Sequence, residues 1–463
     1  MPDVLIDHAE TPIPLVLVSE AAFEAMSDEG LKELARGQDF KGQAGRILFA
    51  TGAEGRLTRV LAGAGKAGAD PMAARSLAAR LPAGDYILTD APEGLDAGLF
   101  ALGWALGAYV FDRYKARPER GRARLVLPDG VDGAAIRQEA AACLLAREMV
   151  DTPAQDMGPL QIETIAREIA EEAGASIEVT VGDDLLEKNF PAVHAVGRAA
   201  ASHRQPRLIE IGWNLDRSEL PLVALVGKGV VFDSGGLDIK PAAGMRWMKK
   251  DMGGAAHAIA LAELVMARQL PVRITLLVPA VENAIGPDAF RPGEVIATRT
   301  GISVEIDNTD AEGRVVLGDA LAYACEGKPD LLLDFATLTG AARVALGPEL
   351  PALYSNDDAV AQAWLDAGIR VRDPLWRMPL WRPYLRYLTS QIADIANSGP
   401  SKMAGSIAAA LYLERFVAAG QAWAHVDGYA WNDADRPGRP AGGEAQGLRA
   451  AFAMLKARFA SQT

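Results

Sequence analysis

The sequence predicts an α/β protein: a large C-terminal domain with a central mixed β-sheet flanked by helices, plus a smaller N-terminal α/β domain. Three observations carry this. At 463 residues the chain outgrows a single hydrophobic core. Half of its residues are apolar and 23% are charged, the balance of a packed chain rather than a disordered one. Short apolar runs alternate with Ala-rich, helix-compatible stretches along the whole length, which is the rhythm of strands and helices in α/β units.

In the first 130 residues, PIPLVLVS, RILFATG, LTRVLAG, GDYILT and ARLVLP read as strands separated by helix-compatible stretches. This is the N-terminal α/β domain, 1–130, and it carries no chemical motif. The apolar stretch from Ala97 to Phe111 falls short of the roughly 18 residues that span a bilayer and contains glycines, so it reads as a buried helix. KARPERGRAR, Lys115 to Arg124, is basic but broken by Pro118 and Gly121, and reads as a solvated connector. AAIRQEAAACLLAREMV, Ala134 to Val150, is composed of good helix formers and stops at DTPAQDMGP; 131–150 is therefore assigned as a linking helix. In the remaining domain, 151–463, a helix is expected over Leu160–Glu172. SIEVTV, RLIEIGW and PLVALVG are expected as strands, followed by a helix over Gly253–Leu270, a strand at VRITLLVPAV, a helix after Gly313 and a strand at PDLLLDFA.

Lys and Arg total 47 against 60 Asp and Glu, a net charge of −13, so the global field repels nucleic acid phosphates and nucleic acid is not an expected partner. With only Cys143 and Cys325, neither a disulfide framework nor a thiolate metal cluster is available, and both are expected to be core thiols in a reducing compartment. The N-terminal segment has no basic leader followed by an apolar run and cleavage site, which predicts a cytoplasmic protein that is not exported. No membrane association is expected.

Three segments carry candidate chemistry. In VALVGKGVVFDSGGLDIKP an apolar strand runs into Lys228, Asp233, two glycines and Lys240, a polar cluster where a buried strand ends. A ligand site and a strand-end turn with a salt bridge are both compatible with it; a phosphate-cradling loop is not, because GxxxxGK followed by Ser or Thr is absent. In MRWMKKDMGGAAHAIALAELVMARQL, Asp251 taken alone fits a helix N-cap, and His257, which lacks a partner at metal-binding spacing, fits packing. The third segment, SVEIDNTDAEGRVVLGDALAYA, crowds Asp307, Asp310 and Glu312 with Arg314 as the nearby cation. If extended there, the chain projects Asp310, Glu312 and Arg314 to one side. Burying such carboxylates costs several kcal/mol per ion unless cations neutralise them. Oxygen-rich donors suit Mg, Mn or Zn, and the carboxylates of the three segments could hold two ions.

Together these segments resemble the leucyl aminopeptidase (M17) family of dinuclear metallopeptidases. NTDAEGR at Asn308 to Arg314 stands as in the family signature, and VGKGVVFDSGG, DIKP and MKKDMGGAA lie at family spacings. ATLTGA at Ala336 to Ala341, DIANSG, MAGSIAAALYLERF and WAHVDGYAW extend the likeness over about 151–463. The resemblance implies an aminopeptidase that releases N-terminal residues, Leu- or Met-like ones preferred, from peptides with a free N-terminus by a water activated between two metals. It implies Lys228, Asp233, Asp251, Asp310 and Glu312 as ligands of two divalent ions, Mn2+ or Zn2+, with Lys240 as electrophile and Arg314 holding a bicarbonate. Met248, Thr337 and Gly340 would line the pocket for the first side chain, and the assembly would be a homohexamer. Two departures stand beside the cluster: Asp238 occupies a position where many relatives have Ser, and Lys250 precedes Asp251. A DNA-binding role, motivated by KARPERGRAR alone, and a two-metal phosphoesterase are the competing readings; the charge opposes the first and the lack of a His-rich donor set the second.

Overall fold

A computed structural model describes residues 4–460 except 67, 69, 116–120 and 402, so part of the KARPERGRAR stretch lies outside the described residues. The chain divides into two compact units, Met1–Leu144 with Ala434–Ala441, and Leu145–Asp433 with Gly442–Thr463. The division falls inside one helix, Gly133–Asp151.

Among the described residues the first unit holds a six-stranded sheet, in spatial order Leu5–Ile6, Ala123–Val126, Gly84–Asp90, Ile13–Ser19, Leu57–Gly65 and Ile47–Thr51. All pairings are parallel except the last. The stretch read as a buried helix forms Ala97–Gly107, ending four residues before Phe111; Asp96 starts it by accepting the Leu99 N–H at 2.8 Å. No described helix is long and apolar enough to cross a membrane.

The second unit is built on a nine-stranded mixed sheet. Its order is Trp376–Arg377, Ala352–Ser355, Trp423–Asp427, Leu331–Ala336, Leu222–Gly227, Arg273–Asn283, Arg207–Trp213 and Ser176–Val181, with Gly229–Asp233 paired to the far end of Arg273–Asn283. The four central strands, Trp423–Asp427, Leu331–Ala336, Leu222–Gly227 and Arg273–Asn283, run parallel, and antiparallel strands flank them. LVALVG and LLLDFA are buried at every residue, as expected of parallel strands covered by helices. The helices Gly253–Ala267 and Glu312–Glu326 both pack against these strands. Cys143 is buried and Cys325 only partly so, which corrects the reading of both as core thiols; no disulfide joins them.

Strand direction positions the chemistry. Parallel strands bring their carboxyl ends to one edge of the sheet, where ligands of open α/β sheets bind. Here those ends deliver Lys228 after Leu222–Gly227, Thr337 after Leu331–Ala336, Asp427 at the end of Trp423–Asp427 and Asn283 at the end of Arg273–Asn283. Glycine makes the approach of helix to strand possible. A Cβ at Gly254 would stand 2.1 Å from the Phe335 carbonyl oxygen and 2.8 Å from the Lys228 nitrogen, and one at Gly313 would stand 2.6 Å from the Lys228 Nζ. Both helices therefore begin against the Lys228 residue itself.

Candidate metal centre

Five short segments converge at that edge. Lys228 follows a central strand, and Asp233 closes the short strand Gly229–Asp233. Asp251 lies in the 3-10 turn Met248–Met252, Asp310 in the 3-10 turn Thr309–Ala311, and Glu312 is the first residue of the helix Glu312–Glu326. The chain can reverse after Asp233 because Gly235 and Gly236 take left-handed φ values of 87° and 64°. Asp233 Oδ1 accepts the Gly235 N–H at 2.9 Å and the Asn283 side-chain amide at 2.8 Å, which fixes the carboxylate. Asp238 then locks this loop to the next. Its backbone N–H donates to Thr309 Oγ1, and its carboxylate accepts the Thr309 N–H, each at 2.8 Å, so the turn that carries Asp310 cannot drift. The Asp in DIKP is thus a clamp between the two acidic loops.

Lys228 Nζ lies 2.6 Å from Asp251 Oδ2 and 2.9 Å from Glu312 Oε1. Lys240 Nζ lies 2.7 Å from Asp233 Oδ2 and also pairs with Asp310. One oxygen each of Asp233, Asp310 and Glu312 fall within 4.8 Å of one another. Four carboxylates thus face two ammoniums, and the negative charge is undercompensated. Among the described residues Asp251 Oδ2, Asp310 Oδ1 and Glu312 Oε1 are buried with only a lysine ammonium as partner, and Glu312 Oε2 is buried with none. Buried polar atoms are almost always hydrogen-bonded, so oxygens held in this way ask for a cation.

The titration of the groups follows. Burial first, then the neighbouring Asp233 charge, pushes Glu312 up to about 8 and Asp310 up to about 6. Burial alone would favour loss of the Lys228 proton, but Asp251, Glu312 and Asp233 outweigh it and hold this ammonium well above the ordinary lysine range; Lys240 is raised in the same way by its carboxylate neighbours. Asp251 is held below the usual carboxylate range, because Lys228 overcomes its burial. A carboxylate set that must take up protons when no cation is added, but offers up to eight oxygens and a lysine nitrogen, fits hard or borderline divalent ions.

Lys228, Asp233, Asp251, Asp310 and Glu312 are brought together, with Lys240 among them. Asp307 is not: it points outward, exposed. The assumption of an extended chain at Asp310–Arg314 is corrected, since the helix begins at Glu312 and the 3-10 turn before it swings Asp310 to the same side. Asp251 is not a helix cap. The cap of the following helix is Met252, while Asp251 Oδ1 accepts the Thr337 hydroxyl at 2.9 Å. His257 packs as expected, with Nδ1 against the Gly253 carbonyl at 2.6 Å and Nε2 accepting the Gln446 N–H at 2.9 Å. Arg314 donates from Nη1 to the Asn397 carbonyl at 2.8 Å, and its buried Nε has no described partner. Met248, Thr337 and Gly340 line one cavity of about 280 Å³ together with Lys228, Asp233, Lys240, Asp251 and Asp310.

Asn283 and Asn397 were invisible in the sequence. Asn283 bridges Asp233 to the Thr309 carbonyl, and Asn397 accepts the Asp307 and Asn308 N–H groups while donating to the Asn308 carbonyl. Their only signal was an amide at the end of an apolar strand, PAVEN, and one within DIANSG.

A buried nest of carboxylates and lysines at the strand ends, opening on a cavity, is the arrangement of a metal-dependent hydrolase. Comparison with known proteins gives the family. The description "Cytosol aminopeptidase family, catalytic domain" matches residues 144–452, and "M17 aminopeptidase, N-terminal domain" matches 13–128. A probable cytosol aminopeptidase of Roseiflexus castenholzii is 38% identical over 380 residues, 79% of this chain and 77% of its own. The crystal structure of a cytosol aminopeptidase from Coxiella burnetii superposes with a TM-score of 0.91 at 43% identity, covering 99% of this chain and 100% of the other. The bottromycin maturation enzyme BotP, solved in complex with Mn, gives 0.87 at 34% identity over 97% and 99%. The chain belongs to the cytosol aminopeptidase (M17) family, and its activity is that of a metallo-aminopeptidase, a hydrolase acting at peptide N-termini.

Proposed function

We propose that two divalent ions, Mn2+ or Zn2+, are held by Lys228, Asp233, Asp251, Asp310 and Glu312, and that the enzyme uses them to release the first residue of peptides. The observation that carries this reading is the buried cluster of four carboxylates, with oxygens of Asp233, Asp310 and Glu312 within 4.8 Å of one another and Glu312 Oε2 without any partner among the described residues. Manganese in BotP supports the choice of ion. Bound there, the two ions supply Lewis-acid polarisation of the scissile carbonyl and lower the pKa of the attacking water.

The chain's own groups do the rest. Lys228 would ligate an ion through its lone pair, and the charge of nearby dications together with its burial would favour the neutral amine that ligation needs. Lys240, whose ammonium reaches the cavity between Asp233 and Asp310, stabilises the oxyanion as the carbonyl becomes tetrahedral. Asp251 lies where it attracts the free α-ammonium of a substrate, which an internal peptide bond cannot present; the enzyme is therefore an exopeptidase. Arg314, whose buried Nε has no partner among the described residues, would hold a bicarbonate, which would supply a proton relay there. Met248, Thr337 and Gly340 receive the first side chain, and the apolar wall of Met248 suits Leu- or Met-like stems. A homohexamer in the cytoplasm completes the reading, supported by the family resemblance and by the naming of its relatives as cytosol aminopeptidases.

Lys240→Ala tests the division of labour. Metal content is expected to survive, while kcat/KM on leucyl-p-nitroanilide falls at least about 100-fold, the scale of losing one oxyanion donor. Loss of bound metal in this variant would assign Lys240 to metal retention instead.

A further inference from the structure

Two cations face the candidate side-chain pocket, and among the described residues neither has a carboxylate within hydrogen-bonding distance. Lys250 lies on the same turn as Met248 and is 4% exposed, yet lines the cavity. Its nearest carboxylate oxygen is Asp251 Oδ1 at 3.8 Å, beyond hydrogen-bonding distance, and its other contact is the Tyr429 ring at 5.4 Å. Arg343 lies three residues after Gly340, and a Cβ at Gly340 would stand 3.9 Å from its Nη2. The guanidinium covers the Tyr429 ring at 4.4 Å and has no ion pair with a described residue. One cation thus comes from each of the two segments that form the pocket, and Tyr429 supports both through its π face. The Tyr429 hydroxyl is anchored to Asp433 at 2.8 Å.

Asp427, which also lines the cavity, does not neutralise them. Its carboxylate accepts the Leu338 and Thr339 N–H groups, each at 3.0 Å, and the Thr339 and Ser406 hydroxyls at 2.6 and 2.9 Å, so its charge is committed to holding the 337–340 loop. The remaining carboxylates belong to the metal centre. A buried amine whose one carboxylate neighbour stands at 3.8 Å is poorly satisfied unless a ligand supplies a closer acceptor.

We propose that this pocket recognises an acidic first side chain, with the alkyl stem of an N-terminal glutamate against Met248 and its carboxylate between Lys250 and Arg343. This rests on the aminopeptidase reading and deepens it, adding peptides that begin with an acidic residue to those with a Leu- or Met-like one. The anion is the side chain and not the C-terminal carboxylate of a short peptide.

The test is kinetics of the Mn-loaded full-length protein on glutamyl-, glutaminyl- and leucyl-p-nitroanilide, which carry no C-terminal carboxylate. Glutamyl is expected to exceed the isosteric neutral glutaminyl by about tenfold or more in kcat/KM, since a charge-assisted hydrogen bond is the only difference between them. Arg343→Gln and Lys250→Met each reduce that ratio, chiefly through KM, and together bring it close to one. Calorimetric titration with L-glutamate and L-glutamine, which involves no turnover, follows the same order. A wild-type ratio near or below one overturns the proposal, as does a ratio that survives in the double variant. A second arm compares leucyl-glycine with leucyl-glycinamide: if the variants erase that preference and not the glutamyl one, the cations read the peptide C-terminus and the proposal fails. Cleavage of leucyl- and glutaminyl- but not glutamyl-anilide refutes this inference alone, whereas no cleavage of any anilide refutes the aminopeptidase reading beneath it.

Discussion

Glu312→Gln is expected to lower hydrolysis of leucyl-p-nitroanilide at least about 1,000-fold in Mn-replete buffer, because on the proposed two-metal reading a contribution of several kcal/mol to the transition state is lost with a ligand the two ions would share. The isosteric change separates chemistry from folding. Glu312 is 1% exposed, its Oε1 meets only the Lys228 ammonium, its Oε2 has no partner among the described residues, and burial pushes its carboxyl up to about 8, so the charged form burdens the metal-free protein. Removing that charge leaves Lys228 paired with Asp251. Metal-free Glu312→Gln should therefore melt no lower than metal-free wild type, while the stabilisation that Mn2+ gives the wild type disappears. Activity within tenfold of wild type would remove Glu312 from the ligand set. This opposition of function and stability follows from undercompensated carboxylates held together by the fold.

Gly254→Ala is expected to have a large structural effect at the candidate site. The added methyl would meet the Phe335 carbonyl oxygen at 2.1 Å, and that oxygen accepts the Lys228 N–H at 2.9 Å. Backbone cannot yield as a flexible side chain can, so the helix Gly253–Ala267 must move away from the sheet and carry Asp251 with it. A loss of about 3 kcal/mol is expected, at the upper end for overpacking, together with weakened metal binding. Gly37→Ala is the contrast: nothing lies within 4 Å of its Cβ position in the helix Glu29–Gly37, and a gain of about 0.5–1 kcal/mol is expected there. Urea denaturation of the three metal-free proteins measures both. A Gly254→Ala variant as stable as wild type would mean that helix and strand are not locked at this point.

The central sheet was legible because its strands are largely apolar runs of six or seven residues between glycines and charged turns: LVALVG, LLLDFA and RLIEIGW all appear as strands. The residues of the candidate metal centre stood out in the sequence as a charge anomaly, since carboxylates crowded beside apolar strands need a neutralising partner. Local geometry was less so. Period-two reasoning failed at Asp310–Arg314 because the helix starts at Glu312, and Asp251 resembled a cap because it precedes a glycine-led helix. What the sequence concealed is tertiary. Asn283 reaches Asp233 across 50 residues, Asp238 meets Thr309 across 71, and the cations Lys250 and Arg343 come from the turn Met248–Met252 that leads into one helix and from the helix Gly340–Leu346 that follows the strand Leu331–Ala336. An asparagine or a lysine carries no period, so nothing in its own neighbourhood announces the partner that the sheet order provides.

The most direct measurement is calorimetric titration of metal-free protein with Mn2+, with Asp233→Asn alongside. Two ions per chain are expected for the wild type and at most one for the variant, whose carboxylate lies between Lys240 and the Asn283 amide at the middle of the cluster. A wild-type chain that takes up no stoichiometric Mn2+ or Zn2+, or a variant that still binds two ions at undiminished affinity, would contradict the dinuclear centre.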